Sequence, residues 1–320
     1  MLKSKALLNF LRMHEPADRV LLLGNGINRL RGGNYSWRTL LKELISFSGI
    51  DEITLGSNKP LPLLFEEILH QMPGESFDFN LKNLKTKVKT EIDSQLKTNE
   101  YHGKIMRSSY NEILTTNYDY LLEKSINSKF VKHKKSGKTS QYLYSDKRVN
   151  LVNGKYIWHI HGELDNGYNS SGNVRYPAQS IMLGYDHYTS YLNKIYQFLV
   201  NDEKGNNEKT ITNELQSDKT FDKRWYYYFF THHIDIIGLD LSVSEIHLWW
   251  LLNYRSKMQK RKGVIKNTIN YFLPSYELLL KKDDIDLLQS FGVTIKEIHT
   301  DFRKGKFYEG FYDKFIERYI

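Results

Sequence analysis

Arg19-Val20-Leu21-Leu22-Leu23-Gly24-Asn25-Gly26 is the stretch on which the fold turns. A short, continuous apolar run stops at two glycines separated by one polar residue. That is the pattern of a fully buried strand passing into a tight turn. A helix follows: Ser36 suits its N-cap, and Trp37, Leu40, Leu41, Leu44 and Ile45 recur at the spacing of one buried face.

The same phrase recurs along the chain. Ile113-Leu114 runs into Thr115-Thr116-Asn117 and then the apolar-periodic Tyr118 to Leu122, and Tyr156 to Ile160 stops at His161-Gly162. Ile181 to Leu183 reads as a strand ending at Gly184 before a helix marked by Tyr191, Leu192, Ile195 and Leu199. Ile234 to Ile237 stops at Gly238 before a helix from Ser244 to Met258. Strands at Asn270 to Leu273 and Val293 to Ile298 flank a helix from Ser275 to Ser290, and Phe307 to Ile320 reads as a final amphipathic helix. Short apolar strands alternating with helices predict an α/β fold, a doubly wound, mostly parallel, Rossmann-like sheet covered on both faces. Ligands of such sheets sit beyond the carboxyl ends of the strands. Residues 49–107 are more polar and read as an inserted helical lobe within a single domain spanning 1–320. Ser125 to Arg148, Asn166 to Arg175 and Asn201 to Thr210 read as loops.

Composition removes whole classes of function. The 320 residues are 40% hydrophobic and 26% charged, as in a globular protein, and contain no cysteine. Disulfides, thiolate zinc sites, cysteine nucleophiles and iron-sulfur clusters are therefore excluded, and a reducing cytoplasm is the expected home. The start, Met1 to Lys5, has no apolar core leading to a cleavage site, and no run approaches the ~20 apolar residues of a membrane helix, so no membrane is expected as partner. Lys and Arg number 46 against 37 Asp and Glu, a net charge of +9 that would attract nucleic acid or a phosphorylated ligand. The densest basic stretches, Lys132 to Lys138 and Lys257 to Lys262, lack the interleaved aromatics of a base-stacking surface and read as a solvated loop and a helix end. The cluster Trp225 to Phe230 reads as core or interface.

Four strand ends carry the candidate chemistry. At Gly24-Asn25-Gly26-Ile27-Asn28 the glycines permit close approach to a pyrophosphate, or simply an ordinary turn; Arg29 stands where the dinucleotide fingerprint has glycine. Thr115-Thr116-Asn117-Tyr118-Asp119 offers a carboxamide and a carboxylate for a ribose, a water or a helix cap. His159 and His161 lie two apart; with no carboxylate at helical spacing to complete a ligand set, no metal is expected, and His161 suits a general base. Gly238-Leu239-Asp240-Leu241-Ser242-Val243-Ser244-Glu245 has the spacing of a capping box, and Asp240 and Glu245 favour hydroxyl donors over phosphate oxygens.

In order and spacing these motifs resemble those of the sirtuin-like superfamily over roughly residues 15 to 300. Ser36-Trp37 followed by Leu40-Leu41 resembles its bacterial branch of NAD hydrolases in antiphage defence. The resemblance implies that Gly24 and Gly26 hold the NAD pyrophosphate, that Asn117 and Asp119 face the nicotinamide and its ribose, and that His161 is the base. It also implies cofactor contacts from Ile27, Asn28, Thr116, Gly238, Asp240, Ser242 and Glu245. Protein-deacylating sirtuins carry a four-cysteine zinc module, which a chain without cysteine cannot build. The expected activity is therefore NAD+ hydrolysis to nicotinamide and ADP-ribose, with NAD+ as substrate and no metal. The family further implies abortive infection by NAD+ depletion, gated through a homo- or hetero-oligomer or a separate sensor or activator protein, with nucleic acid reached only through that partner. The alternatives are a nucleotide sensor that holds NAD or ADP-ribose uncleaved, an NAD-dependent deacylase, and a nucleic-acid-binding module.

Overall fold

A computed structural model describes residues 4–31, 35–50, 53–55, 59–74, 76–130, 146–164, 178, 180–200, 206–300 and 307–320. Among the described residues seven strands form one sheet: β1 (Ala17–Leu23), β2 (Glu112–Thr115), β3 (Val149–Val152), β4 (Lys155–His159), β5 (His232–Ile237), β6 (Ile269–Pro274) and β7 (Val293–Ile298). Their order is β3-β4-β2-β1-β5-β6-β7, with every neighbouring pair parallel except the β3–β4 hairpin. The doubly wound α/β fold is thus present, with β1 in the centre. The chain leaves β1 toward β2 on one side and later returns to β5 on the other, which makes the β1/β5 boundary a topological switch point.

Among the described residues thirteen α-helices accompany the sheet. On or near one face lie α1 (Lys5–Met13), α7 (Tyr185–Leu199), α8 (Asn206–Gln216), α9 (Tyr228–Thr231) and α10 (Ile246–Lys262). Between β1 and β2 the chain forms α2 (Trp37–Ser48), α3 (Leu61–Gln71), α4 (Phe77–Gln95) and α5 (Glu100–Met106), and after β2 comes α6 (Leu121–Ile126). Finally α11 (Ser275–Leu280) and α12 (Lys282–Ser290) join β6 to β7, and α13 (Phe307–Tyr319) follows.

The period of two along β1 sorts its side chains between two cores. Val20 and Leu22 enter one with Leu248, Leu251 and Leu252 of α10, while Leu21 and Leu23 enter the other with Phe311, Tyr312 and Phe315 of α13. A third core is built from α2, α3 and α4 with Tyr118 and Ile181; α2 precedes residue 49, and α5 packs into the second core instead. Ser36 caps α2 by accepting the Thr39 N–H, and Gly49 ends it in the left-handed region at φ 68°. Trp225 to Phe230 are buried in the first core.

Several expectations are corrected. Ile181 to Leu183 is not a strand: Met182 N–H donates to His161 O, and no ladder continues from it. The helix expected from Ser275 to Ser290 is two, broken at Lys281. The segment read as loop from Asn201 to Thr210 enters α8 at Asn206, and 201–205 lie outside the described residues. The hairpin β3–β4 was not anticipated; its turn is Asn153-Gly154, with φ of 51° and 78°. The Ser244 helix begins later, at Ile246, and Lys257 to Lys262 is its C-terminal end, where cations suit the helix dipole. Most of the loop read at Ser125 to Arg148, the basic stretch Lys132 to Lys138 and the loop Asn166 to Arg175 lie outside the described residues. Among the described residues no helix is long and apolar enough to cross a membrane.

A Cβ on Gly24 would collide with backbone, the Gly238 oxygen and Leu239 Cα, whereas one on Gly310 in α13 meets nothing within 4 Å. Gly24→Ala should therefore cost about 1–3 kcal/mol in urea unfolding. Gly310→Ala should instead gain about 0.5–1 kcal/mol through the helical preference for alanine.

Candidate active site

At the switch point the ends of β1 and β5 touch backbone to backbone. Gly24 N–H donates to Ile237 O at 3.0 Å and Gly26 N–H to Gly238 O at 2.8 Å. Gly238 adopts φ +63°, and a Cβ there would strike the Tyr312 hydroxyl; one on Gly26 would strike the Tyr308 hydroxyl, both from α13. The glycines are thus required by the contact between strand ends. Their amides are committed to β5 instead of standing free for a phosphate.

Beneath this turn Asn28 is a buried hub. Its Nδ2 donates to Asn25 Oδ1 at 2.9 Å and to Asp119 Oδ2 at 2.7 Å, and its Oδ1 meets His102 Nε2 at 2.9 Å. His102 Nδ1 accepts the Asn99 N–H, so the proton of this neutral ring sits on Nε2 and is donated to Asn28. Burial pushes His102 down to about 4, which keeps it in that state. Asp119 is raised by the same burial, and its other oxygen accepts the Leu121 N–H at 3.0 Å. One carboxylate oxygen of Asp119 thus joins it to the β1 turn, and the other binds its own segment at the start of α6.

Asn117 is fixed from three directions. Its N–H donates to Thr115 Oγ1, its Nδ2 to Gly24 O at 3.3 Å, and its carbonyl accepts from His159 Nδ1 at 2.9 Å. Burial opposes charge on His159, yet Glu123 Oε1 at 2.9 Å from Nε2 prevails and holds the ring above its ordinary value. The imidazolium donates on both sides, to Asn117 and to Glu123, and Glu123 is steadied by Asn150. His159 is thus a structural strut.

His161 lies beyond the end of β4 and belongs to a different network. Its Nε2 is 3.1 Å from His247 Nε2 and 3.1 Å from Glu245 Oε2, and its ring meets Tyr188 edge-on. Gly162, at φ +88° and pressed on Ser180, makes the turn that aims it there. The capping box expected of Ser242 and Glu245 does not form. Glu245 takes the N-cap position of α10 without a side-chain cap bond, because its carboxylate is turned to His161, and its N–H donates to Ser242 O.

A cleft of about 590 Å³ opens at this point. Of the residues expected at the site, Gly26, Thr116, His161, Gly238, Asp240, Ser242 and Glu245 line it. Asn117 and Asp119 line a recess of about 30 Å³, which shares Asn25, Ser36, Trp37 and Thr116 with the cleft. Gly24 lies in the strand contact, Asn28 in the hub, and Ile27 is fully buried in the second core, off both walls. The cleft also exposes residues that motif reading missed: Arg29, Lys281, which donates to Asp240 Oδ1 at 2.7 Å, and Tyr308. His247 was missed as well, although an acid and a histidine two apart at a helix start are a visible signal.

Residues 111–221 match the family model described as a SIR2-like domain, a span that runs from the start of β2 past the strut and His161. No curated protein matches the sequence.

His102 gives the site an acid limit. Its folded value lies below the 6.5 of an exposed histidine, so the unfolded chain binds the extra proton between about pH 6.5 and 4, and stability falls as pH falls through that window. The expected contribution is about 3 kcal/mol, and His102→Gln should flatten the pH dependence of urea unfolding by about one proton. Asn28→Ala, which leaves Asp119 and His102 without a shared partner, should cost about 1–3 kcal/mol in the same measurement.

Proposed function

We propose that this protein is an NAD+ glycohydrolase, a reading supported by the match of residues 111–221 to a SIR2-like domain, a family that uses NAD+. One observation carries the reading: a buried histidine backed by a carboxylate, His161 with Glu245, on the wall of a cleft whose recess holds Asn117 and Asp119. Nicotinamide is a neutral pyridine leaving from a cationic glycoside, so the bond between its ring nitrogen and ribose C1′ needs no acid to break. The protein's work is to hold the ribose and to deliver water to C1′. Asn117 orients ribose and water at the recess, and His161 accepts the proton of the attacking water. Glu245 then faces an imidazolium, which its charge stabilises. Nicotinamide, ADP-ribose and one proton leave.

The rest of the cleft suits the remainder of the dinucleotide. With the amides of Gly24 and Gly26 committed to β5, pyrophosphate charge falls to side chains, and Arg29 and Lys281 stand on the wall. Asp240 offers a hydroxyl acceptor beside Lys281. The recess has room for about one or two waters and not for a pyridine ring, so Trp37 and its neighbours must move before nicotinamide enters. That requirement supports a resting state of low turnover and a gate worked by a separate sensor or activator protein or by oligomerisation, as an effector of antiphage defence in the cytoplasm needs. It equally supports a nucleotide sensor, which would fill the cleft and leave NAD+ intact.

Nicotinamide release by the purified chain, alone and with lysate of infected or uninfected cells, separates these readings. His161→Ala and Asn117→Ala should each lower release by at least about 100-fold while the melting curve stays cooperative. Full activity in either variant removes that residue from the chemistry. NAD+ binding by calorimetry without release in any lysate selects the sensor.

A further inference from the structure

In the sequence nothing completes a ligand set with His159 and His161, so no metal is expected there. Folding separates those two histidines, gives His159 to Glu123, and brings two other residues to His161 from α10. The ligand atoms of His161, Glu245 and His247 all lie within 4.8 Å of one another. His247 is fully buried and Glu245 is 14% exposed; Glu245 is the N-cap and His247 the second residue of a 17-residue helix. The cluster is held by rigid elements.

Its hydrogen bonding does not close. Glu245 Oε2 is buried without a hydrogen-bond partner among the described residues, although it stands 3.1 Å from His161 Nε2. His161 and His247 meet Nε2 to Nε2, so one of the two must present a lone pair to the other's proton, and the carboxylate adds only further acceptors. Three electron-pair donors converge on one point that a single proton cannot satisfy. We propose that this point is a site for a divalent cation of the zinc class, held by His161 Nε2, His247 Nε2 and Glu245 Oε2. Two imidazoles and one carboxylate suit zinc and its neighbours, whereas magnesium and calcium want oxygen throughout. Bonds of about 2.0–2.1 Å in a tetrahedron set ligand atoms about 3.3 Å apart; the two edges from His161 are 3.1 Å, and the third, between His247 and Glu245, lies within 4.8 Å. The fourth position faces the cleft, since His161 and Glu245 both line it.

The cation and the base share His161 Nε2, so an occupied site cannot take the proton of the attacking water. A bound cation therefore silences turnover, a consequence that rests on the hydrolase reading; the binding itself does not.

The test uses untagged, chelator-stripped full chain. Zn2+ titrated by calorimetry should bind one to one, and Co2+ should give the visible absorbance of a tetrahedral site. Glu245→Gln and His247→Gln should each weaken binding by at least about 10-fold. Because His247 is buried, circular dichroism and a melting curve accompany its variant, and Glu245→Gln, nearer the surface, stands as the second arm. In the nicotinamide assay equimolar Zn2+ should stop release and EDTA should restore it. Absence of a one-to-one Co2+ spectrum, or unchanged affinity in folded Glu245→Gln, overturns the site. Stoichiometric binding that leaves release unchanged or raises it overturns the competition for His161. A chain that never releases nicotinamide still answers the binding arm, so failure of the hydrolase reading is seen separately.

Discussion

The close contact between the ends of β1 and β5 is the constraint from which the rest of the site follows. Two hydrogen bonds, from Gly24 and Gly26 into the turn after β5, pull the strand ends so near that no side chain fits between them. Tyr308 and Tyr312 of α13 press on the same point. The chain must diverge from there, into the 3-10 turn Asn25–Arg29 on one side and the Gly238–Glu245 segment on the other, and the cleft is the space that divergence opens. The lobe of α2, α3 and α4 supplies the facing wall through Trp37, Leu41 and Phe65.

Around that contact the buried polar groups divide into two kinds. Asn28, Asp119 and His102 form one bonded group and Asn117, His159 and Glu123 another, in which Glu123 Oε2 alone lacks a partner among the described residues. Such bonding gives rigidity to the inner recess. The cluster of His161, His247 and Glu245 is instead under-satisfied, with acceptors that face each other and the cleft. Burial, with His161 beside it, holds His247 well below its ordinary value. Rigid support on one side and unsatisfied donors of electron pairs on the other is an arrangement suited to chemistry.

Much of the fold was legible because its signals are local. The apolar run into Gly24, the capped face of α2 and the glycine after β5 each announce themselves within a few residues. The hairpin turn Asn153-Gly154 was equally local and was passed over because the polar stretch before it reads as loop. Ile181 to Leu183 misled because apolar composition alone does not supply a ladder partner. The site was legible as residue types and not as pairings. Asn28 meets Asp119 across 91 residues and His161 meets His247 across 86, distances over which spacing carries no information. The same limit hid the partners of the two histidines, Glu123 for His159 and the Glu245–His247 pair for His161.

The proposed hydrolysis requires that water, and no other acceptor, take the ribose from nicotinamide in this cleft. Mass spectrometry and NMR of the products of NAD+ turnover, with lysate of infected cells present and an acyl-lysine peptide added, decide between acceptors. Hydrolysis yields nicotinamide and ADP-ribose in equal amounts and an unchanged peptide. A cyclised or acylated ribose product, or nicotinamide released only when the peptide is present, would rule hydrolysis out.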